Sequence, residues 1–289
     1  SPSRRRTMLE ALSAEALKMG THKATWFLVW LFPIAFSAIL LIMIGAGIAG
    51  FDPPESPNAA DWIENSTIIW SVPNNAVGRY LISAFVAVIF AGEYGWNTWK
   101  LIVPHRRRAL LVAAKYALTI LLFAISFALT AALLTGLNFA DDALTGDTAP
   151  AGLTAALLLD SHGKAALAAV APVLVSIAYA SVAAVLTRST IAALVIAIVA
   201  TTLEQLIVGF GPQLYLKFPS IVWPLYHVLA GHHLANLAEC ISEGAALERG
   251  FPGGRVVHYS CAASIGILAA WIAALCGATF AAFGRQDIN

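Results

Sequence analysis

From Ala24 to Ala49 the chain carries no charged side chain, and a run of that length and apolarity has few folded fates. Roughly 20 apolar residues cross the hydrocarbon of a bilayer, where only a helix or a closed barrel satisfies its own backbone. Five further runs of similar character follow, at Val72–Ala91, Ala109–Leu137, Ala165–Leu186, Thr190–Phe210 and His258–Phe283. Composition agrees: 59% of residues are hydrophobic and 11% charged, against about a quarter charged in soluble domains. The expectation is an all-α polytopic membrane protein, one domain over residues 1–289, with six transmembrane helices.

The intervening segments have their own signatures. Residues 8–23 place Leu9, Leu12, Ala16 and Met19 at helical spacing with Glu15 and Lys18 opposite, which reads as an interfacial helix. Ser1–Thr7 precede Met8, which reads as an alternative start. The apolar run after Lys23 is too long for a cleavable signal, so none is expected. Trp26 and Trp30 sit where an entry interface belongs, and Pro33 predicts a kink. Asp52–Asn75 and Asn138–Lys164 are acidic and read as loops, whereas Thr187–Ser189 is a very tight connection. Residues 211–257 hold two short pieces, one broken by Pro219 and Pro224, the other at Gly231–Ser242. Both are too short to cross and are expected to be re-entrant or interfacial.

Six crossings put both termini on one side. Of the 17 Lys and Arg residues, twelve fall on that side and five on the other, with acidic residues gathered opposite. The positive-inside rule then predicts cytoplasmic termini. The same side receives Gly92–Arg108, GEYGWNTWKLIVPHRRR, the most strongly patterned polar interruption. Read as a helix over 92–104, it places Glu93, Asn97 and Lys100 on one face and Trp96, Trp99 and Val103 on another, and Pro104 stops it.

These residues resemble the ABC-2 type transporter permeases, in the antibiotic-efflux and bacteriocin-immunity style with a separate ATPase. The resemblance rests on Glu93 opening the loop, the Gly95–Trp99 core, the basic cluster Arg106–Arg108 and Lys115 entering the next span. It implies that 92–104 is a coupling helix seated on a cytoplasmic ABC ATPase, with Glu93, Tyr94, Trp96, Asn97, Trp99, Lys100, Arg106 and Arg107 as the coupling residues. It also implies a homodimer with two ATPase copies in a bacterial cytoplasmic membrane, exporting an amphipathic or hydrophobic substrate such as a peptide, drug or lipid. Without the family, Trp96 and Trp99 read equally as anchors of an interfacial helix.

No GxxxxGK[ST] phosphate loop occurs, so in this reading ATP and magnesium are held by the partner and no cofactor by this chain. No catalytic residue, metal or nucleic-acid partner is expected; membrane lipid is. Arg79 and Glu204 fall inside apolar runs at similar depth, where a charge is costly. They are expected to pair or to line the outer end of a translocation path, unless Arg79 snorkels to the interface. His227, His232 and His233 support the rival reading, a membrane-embedded metalloenzyme, although their spacing is no zincin motif. A passive channel or assembly subunit is the other alternative. Cys240 and Cys261 share the outer side, where a bridge could persist, and sequence alone leaves their pairing open. Small residues recur every fourth position from Ala262 to Ala282, a spacing that permits close helix packing.

Overall fold

A computed structural model describes residues 2–51, 58–95, 107–146 and 148–286. The chain runs through α1 (Pro2–Thr21), α2 (Lys23–Leu28), α3 (Leu31–Ile48), α4 (Ala59–Thr67), a 3-10 turn (Ile68–Asn74) and α5 (Ala76–Gly95). It continues through α6 (Arg108–Thr145), α7 (Ala155–Thr187), α8 (Thr190–Tyr215), α9 (Pro219–Val228) and α10 (Ala230–Ser242). The hairpin β1 (Glu248–Phe251) and β2 (Arg255–His258) precedes α11 (Cys261–Arg285). Six stretches are long and apolar enough to cross a membrane: α2–α3 as one, α5, α6, α7, α8 and α11. This is an all-α multi-pass membrane protein.

Side-chain caps start several of these helices. Thr154, Ser189 and Ser260 accept hydrogen bonds from the backbone N–H of Leu157, Ala192 and Ala263, at 3.1, 3.4 and 3.2 Å. Each satisfies a donor that the first helical turn leaves without a partner. The tight α7–α8 link turns through Arg188 in the left-handed region, φ 55°. α7 is the hub, packed on α5, α8 and α11. Its apolar window is 72% buried, against 22% for α2–α3 and 11% for α11, so the outer helices turn leucine, isoleucine and alanine faces outward. In water such faces would drive association; in a bilayer the lipid tails are their solvent.

Several boundaries differ from the sequence reading. The second span begins at Ala76 because Pro73 lies in the preceding 3-10 turn, and that turn folds back on Gly78. A Cβ at Gly78 would stand 2.0 Å from the Val72 carbonyl oxygen, so only glycine admits the approach. The third and fourth helices are longer than the apolar runs, so most of the 138–164 segment is helix and only Gly146–Thr154 links the two. Packing explains the extension: Phe139 packs tilted against Trp62 of α4, ring centroids 4.7 Å apart, and the Trp62 Nε1–H donates to Asp142 at 3.2 Å. The last helix starts at Cys261 because Arg255–His258 pairs with Glu248–Phe251. That hairpin turns on Gly253 and Gly254, at φ 81° and 74°, values that glycine adopts freely. Its Phe251 closes an aromatic cluster with Tyr215, Trp223 and Tyr226.

Candidate functional site

Two charged clusters interrupt the apolar bundle. The first lies where α1 meets the end of α5 and the start of α6. Lys115 on α6 donates to the Ile89 carbonyl at 3.2 Å, to Glu93 Oε1 at 2.8 Å and to Glu15 on α1. Lys18, one α1 turn beyond Glu15, also pairs with Glu93 Oε1. Among the described residues the result is a chain Glu15–Lys115–Glu93–Lys18 of two carboxylates and two ammonium groups. Glu93 and Lys115 are each 2% exposed, and a buried charge is tolerated only when paired in this way. His22 lies beside the cluster; burial and then the charge of Lys18 push its pKa below the ordinary value. Its Nδ1 accepts the Ala24 N–H at 3.0 Å, capping α2.

Glu93, one of the expected coupling residues, turns its carboxylate into the bundle, where Lys18 and Lys115 meet it. Tyr94 is also occupied: its hydroxyl donates to Gln286 Oε1 at 2.6 Å, and Gln286 Nε2 donates to the Val185 carbonyl at 2.7 Å. Arg107 is the exposed residue preceding α6, and its carbonyl accepts the N–H groups of Leu110 and Leu111. Arg108 donates through Nη1 to the carbonyls of Phe283, Gly284 and Gln286 at 3.3, 3.0 and 2.6 Å. A cation is well placed at the C-terminus of α11, where carbonyls lack helical donors. Trp96, Asn97, Trp99, Lys100 and Arg106 lie outside the described residues.

The second cluster lies at the other end of α5. Arg79, in the first turn of α5, places Nη1 2.9 Å from Glu204 Oε2 of α8, and both side chains are almost fully buried. The contact is an ion pair whose alignment is too bent for a hydrogen bond. Tyr179 of α7 donates to Glu204 Oε1 at 2.5 Å, and Arg79 Nε donates to Ser176 Oγ at 3.1 Å. Three membrane helices are thus tied through one polar knot. A cavity of about 160 Å³ adjoins Arg79, bounded by Pro73, Asn74, Pro172, Gln205 and Gly231. The sequence pointed to both charges. Tyr179 and Ser176 escaped it, because a hydroxyl in an apolar helix carries no signal until its neighbour is known.

The histidines do not converge as a ligand set. His233 uses both ring nitrogens, with Ser264 Oγ at 3.1 Å and the His227 carbonyl at 3.0 Å. His227 Nδ1 meets the Tyr259 hydroxyl at 2.6 Å. The fully buried His232 ring packs against Tyr226 with centroids 4.7 Å apart. Among the described residues, no three His, Cys, Asp or Glu side chains are grouped to hold a metal. Cys240 on α10 and Cys261 at the start of α11 form a disulfide, with Cα atoms 5.9 Å apart. In comparisons with known proteins, no family model, curated protein or solved structure matches this chain.

Proposed function

We propose that the chain is the transmembrane subunit of an ATP-driven exporter of the ABC-2 type, working as a homodimer with two cytoplasmic ATPase subunits in a bacterial cytoplasmic membrane. The observation that carries the reading is the buried Glu15–Lys115–Glu93–Lys18 chain, at the base of the segment joining α5 to α6. A push on that segment reaches α1, α5 and α6 as one body, as a coupling element requires. The motif resemblance over Gly92–Lys115 and the lack of a phosphate loop support it further. In this reading 92–104 is the coupling helix, α1 lies on the inner interface, and α9 and α10 are re-entrant or interfacial outer helices. ATP and magnesium belong to the ATPase. The Arg79–Glu204 pair and its cavity flank the translocation path, and the cargo is amphipathic or hydrophobic.

Orientation has two independent supports. Basic residues concentrate at the α1 end. The Cys240–Cys261 disulfide lies at the far end, and disulfides persist in oxidising compartments.

Burial of Glu93 changes which variants test the partner. Trp96→Ala and Lys100→Ala would weaken the grip on the ATPase directly, whereas Glu93→Ala would act through the fold. The expected result is co-purification of a soluble ATPase with the native chain and its release by Trp96→Ala at unchanged thermal stability. Retention of the ATPase by both Trp96→Ala and Lys100→Ala, or failure of any ATPase to co-purify, would overturn the reading.

A further inference from the structure

α6 and α7 meet only sparsely, and between their far ends lies a groove of about 750 Å³. That volume is within the range of small-molecule sites. Its α6 side is made of small residues, Ala128, Ala132 and Gly136, which leave the space; Leu158 of α7 and Leu153 of the link face them. At 1.5 Å per residue, Ala128 stands about 20 Å and Thr135 about 30 Å from Lys115, the last charged residue of α6 before its apolar run. A hydrocarbon layer is about 30 Å thick, so Thr135 stands near its upper boundary and Ala128 below it, at hydrocarbon depth. Leu159 of α7 lines the groove and is itself exposed, which makes the groove continuous with the lipid-facing surface.

One polar relay enters this apolar space. The Trp70 indole N–H donates to His162 Nδ1 at 3.2 Å. That fixes the tautomer: Nε2 carries the hydrogen and donates to Thr135 Oγ1, also at 3.2 Å. Thr135 is therefore an acceptor toward His162, its only polar partner among the described residues, and its own hydroxyl hydrogen remains to be donated. Thr135 lines the groove, so the site offers one hydrogen-bond donor above an apolar channel that runs down to the bilayer. An ester carbonyl above an acyl chain matches that arrangement, because lipid ester groups lie at the boundary between hydrocarbon and headgroups.

We propose that the α6–α7 groove holds one acyl chain of a bilayer glycerolipid, with its ester carbonyl accepting the Thr135 hydroxyl and its chain descending past Ala132 and Ala128. The inference does not depend on the exporter reading, since it concerns this chain and lipid alone.

The test titrates the purified chain in micelles with phosphatidylcholine brominated on its acyl chain, and reads quenching of Trp70 as the difference between the native chain and Trp70→Phe. The same titration uses the ether-linked analogue, which lacks the carbonyl. Saturable quenching is expected, with the ester lipid bound about fivefold more tightly, the factor for one hydrogen bond. Thr135→Val should abolish that preference and Thr135→Ser should keep it. Gly136→Leu should suppress quenching by filling the groove; a Cβ there meets nothing within 4 Å, so the variant is expected to fold, with elution profile and melting as the check. Equal binding of ester and ether lipids by the native chain would overturn the proposal, as would quenching unchanged by Gly136→Leu. Quenching by a brominated fatty acid but not by the phospholipid would also overturn it. So would disulfide linkage of two copies through Ala132→Cys, since that would make the groove a protein contact.

Discussion

At the scale of single residues, Arg79 and Glu204 show how burial makes two side chains interdependent. Deleting one partner leaves a charge with no counterion at a fully enclosed site, a loss of about 3–5 kcal/mol. Glu204→Leu should therefore lower the melting temperature sharply in detergent, and Arg79→Met should do the same. The double variant should recover most of the loss, because replacing both members by apolar groups removes desolvation along with attraction. Differential scanning fluorimetry of the four proteins measures the coupling directly. His232 provides a pH-dependent counterpart. Burial, then the positive potential of His233, Arg249 and His227, lowers its pKa from 6.5 to about 4. Between those values the unfolded chain binds a proton that the folded ring refuses, so stability present at neutral pH is lost as pH falls from about 6.5 towards 4. The shift corresponds to about 3 kcal/mol. His232→Phe should flatten that part of the stability profile in urea titrations at stepped pH.

At the scale of elements, the bundle is held at its α1 end by charges and at the other end by aromatics and a disulfide. Lys115 is the keystone of the ionic end, since it meets both Glu15 and Glu93. Lys115→Met should cost about 3–5 kcal/mol by taking its lysine from Glu15 and leaving Lys18 to pair with the buried Glu93, and α1 should come away before the bundle melts. A thiol at Ala11→Cys, a position only 4% exposed, reports this in a chain that also carries Cys276→Ser. Its labelling rate should rise severalfold in the Lys115→Met background, and an unchanged rate would mean that apolar contacts alone hold α1. The same ionic end accounts for the mixed character of residues 8–23. Leu12 and Met19 of their apolar face pack on the bundle while Leu9 stays exposed, and Glu15 and Lys18, which read as the opposite face, are the side chains that enter the network.

At the scale of the whole molecule, orientation is the property on which every functional statement turns. Cysteines introduced at the exposed positions Ala14 on α1 and Glu243 after α10, again with Cys276→Ser, separate the two possibilities. A membrane-impermeant thiol reagent added to intact cells should label Glu243→Cys and leave Ala14→Cys unlabelled until the cells are opened. The reverse pattern would place the Gly92–Arg108 segment outside and end the coupling proposal. A bundle of six such helices also explains why greasy faces on α3 and α8 coexist with a stable fold: lipid completes their packing.

The amino-acid sequence by itself determined the class, the number of crossings and the polar residues placed inside them, because a bilayer leaves the backbone so few choices that length and charge position decide. It marked Arg79 and Glu204 as costly charges, since an intramembrane charge stands out wherever it lies. Tertiary structure decided whom those charges meet. Glu93 reads locally as one face of a surface helix, yet it is buried because Lys18 and Lys115, distant in sequence, arrive beside it. The same holds for Cys240 and Cys261, for the hairpin before α11, and for the helical extensions that α4 stabilises. The α6–α7 groove could not be read in one dimension at all. It exists because small side chains on α6 face a helix that diverges from it, and a space between elements has no residue of its own in the sequence.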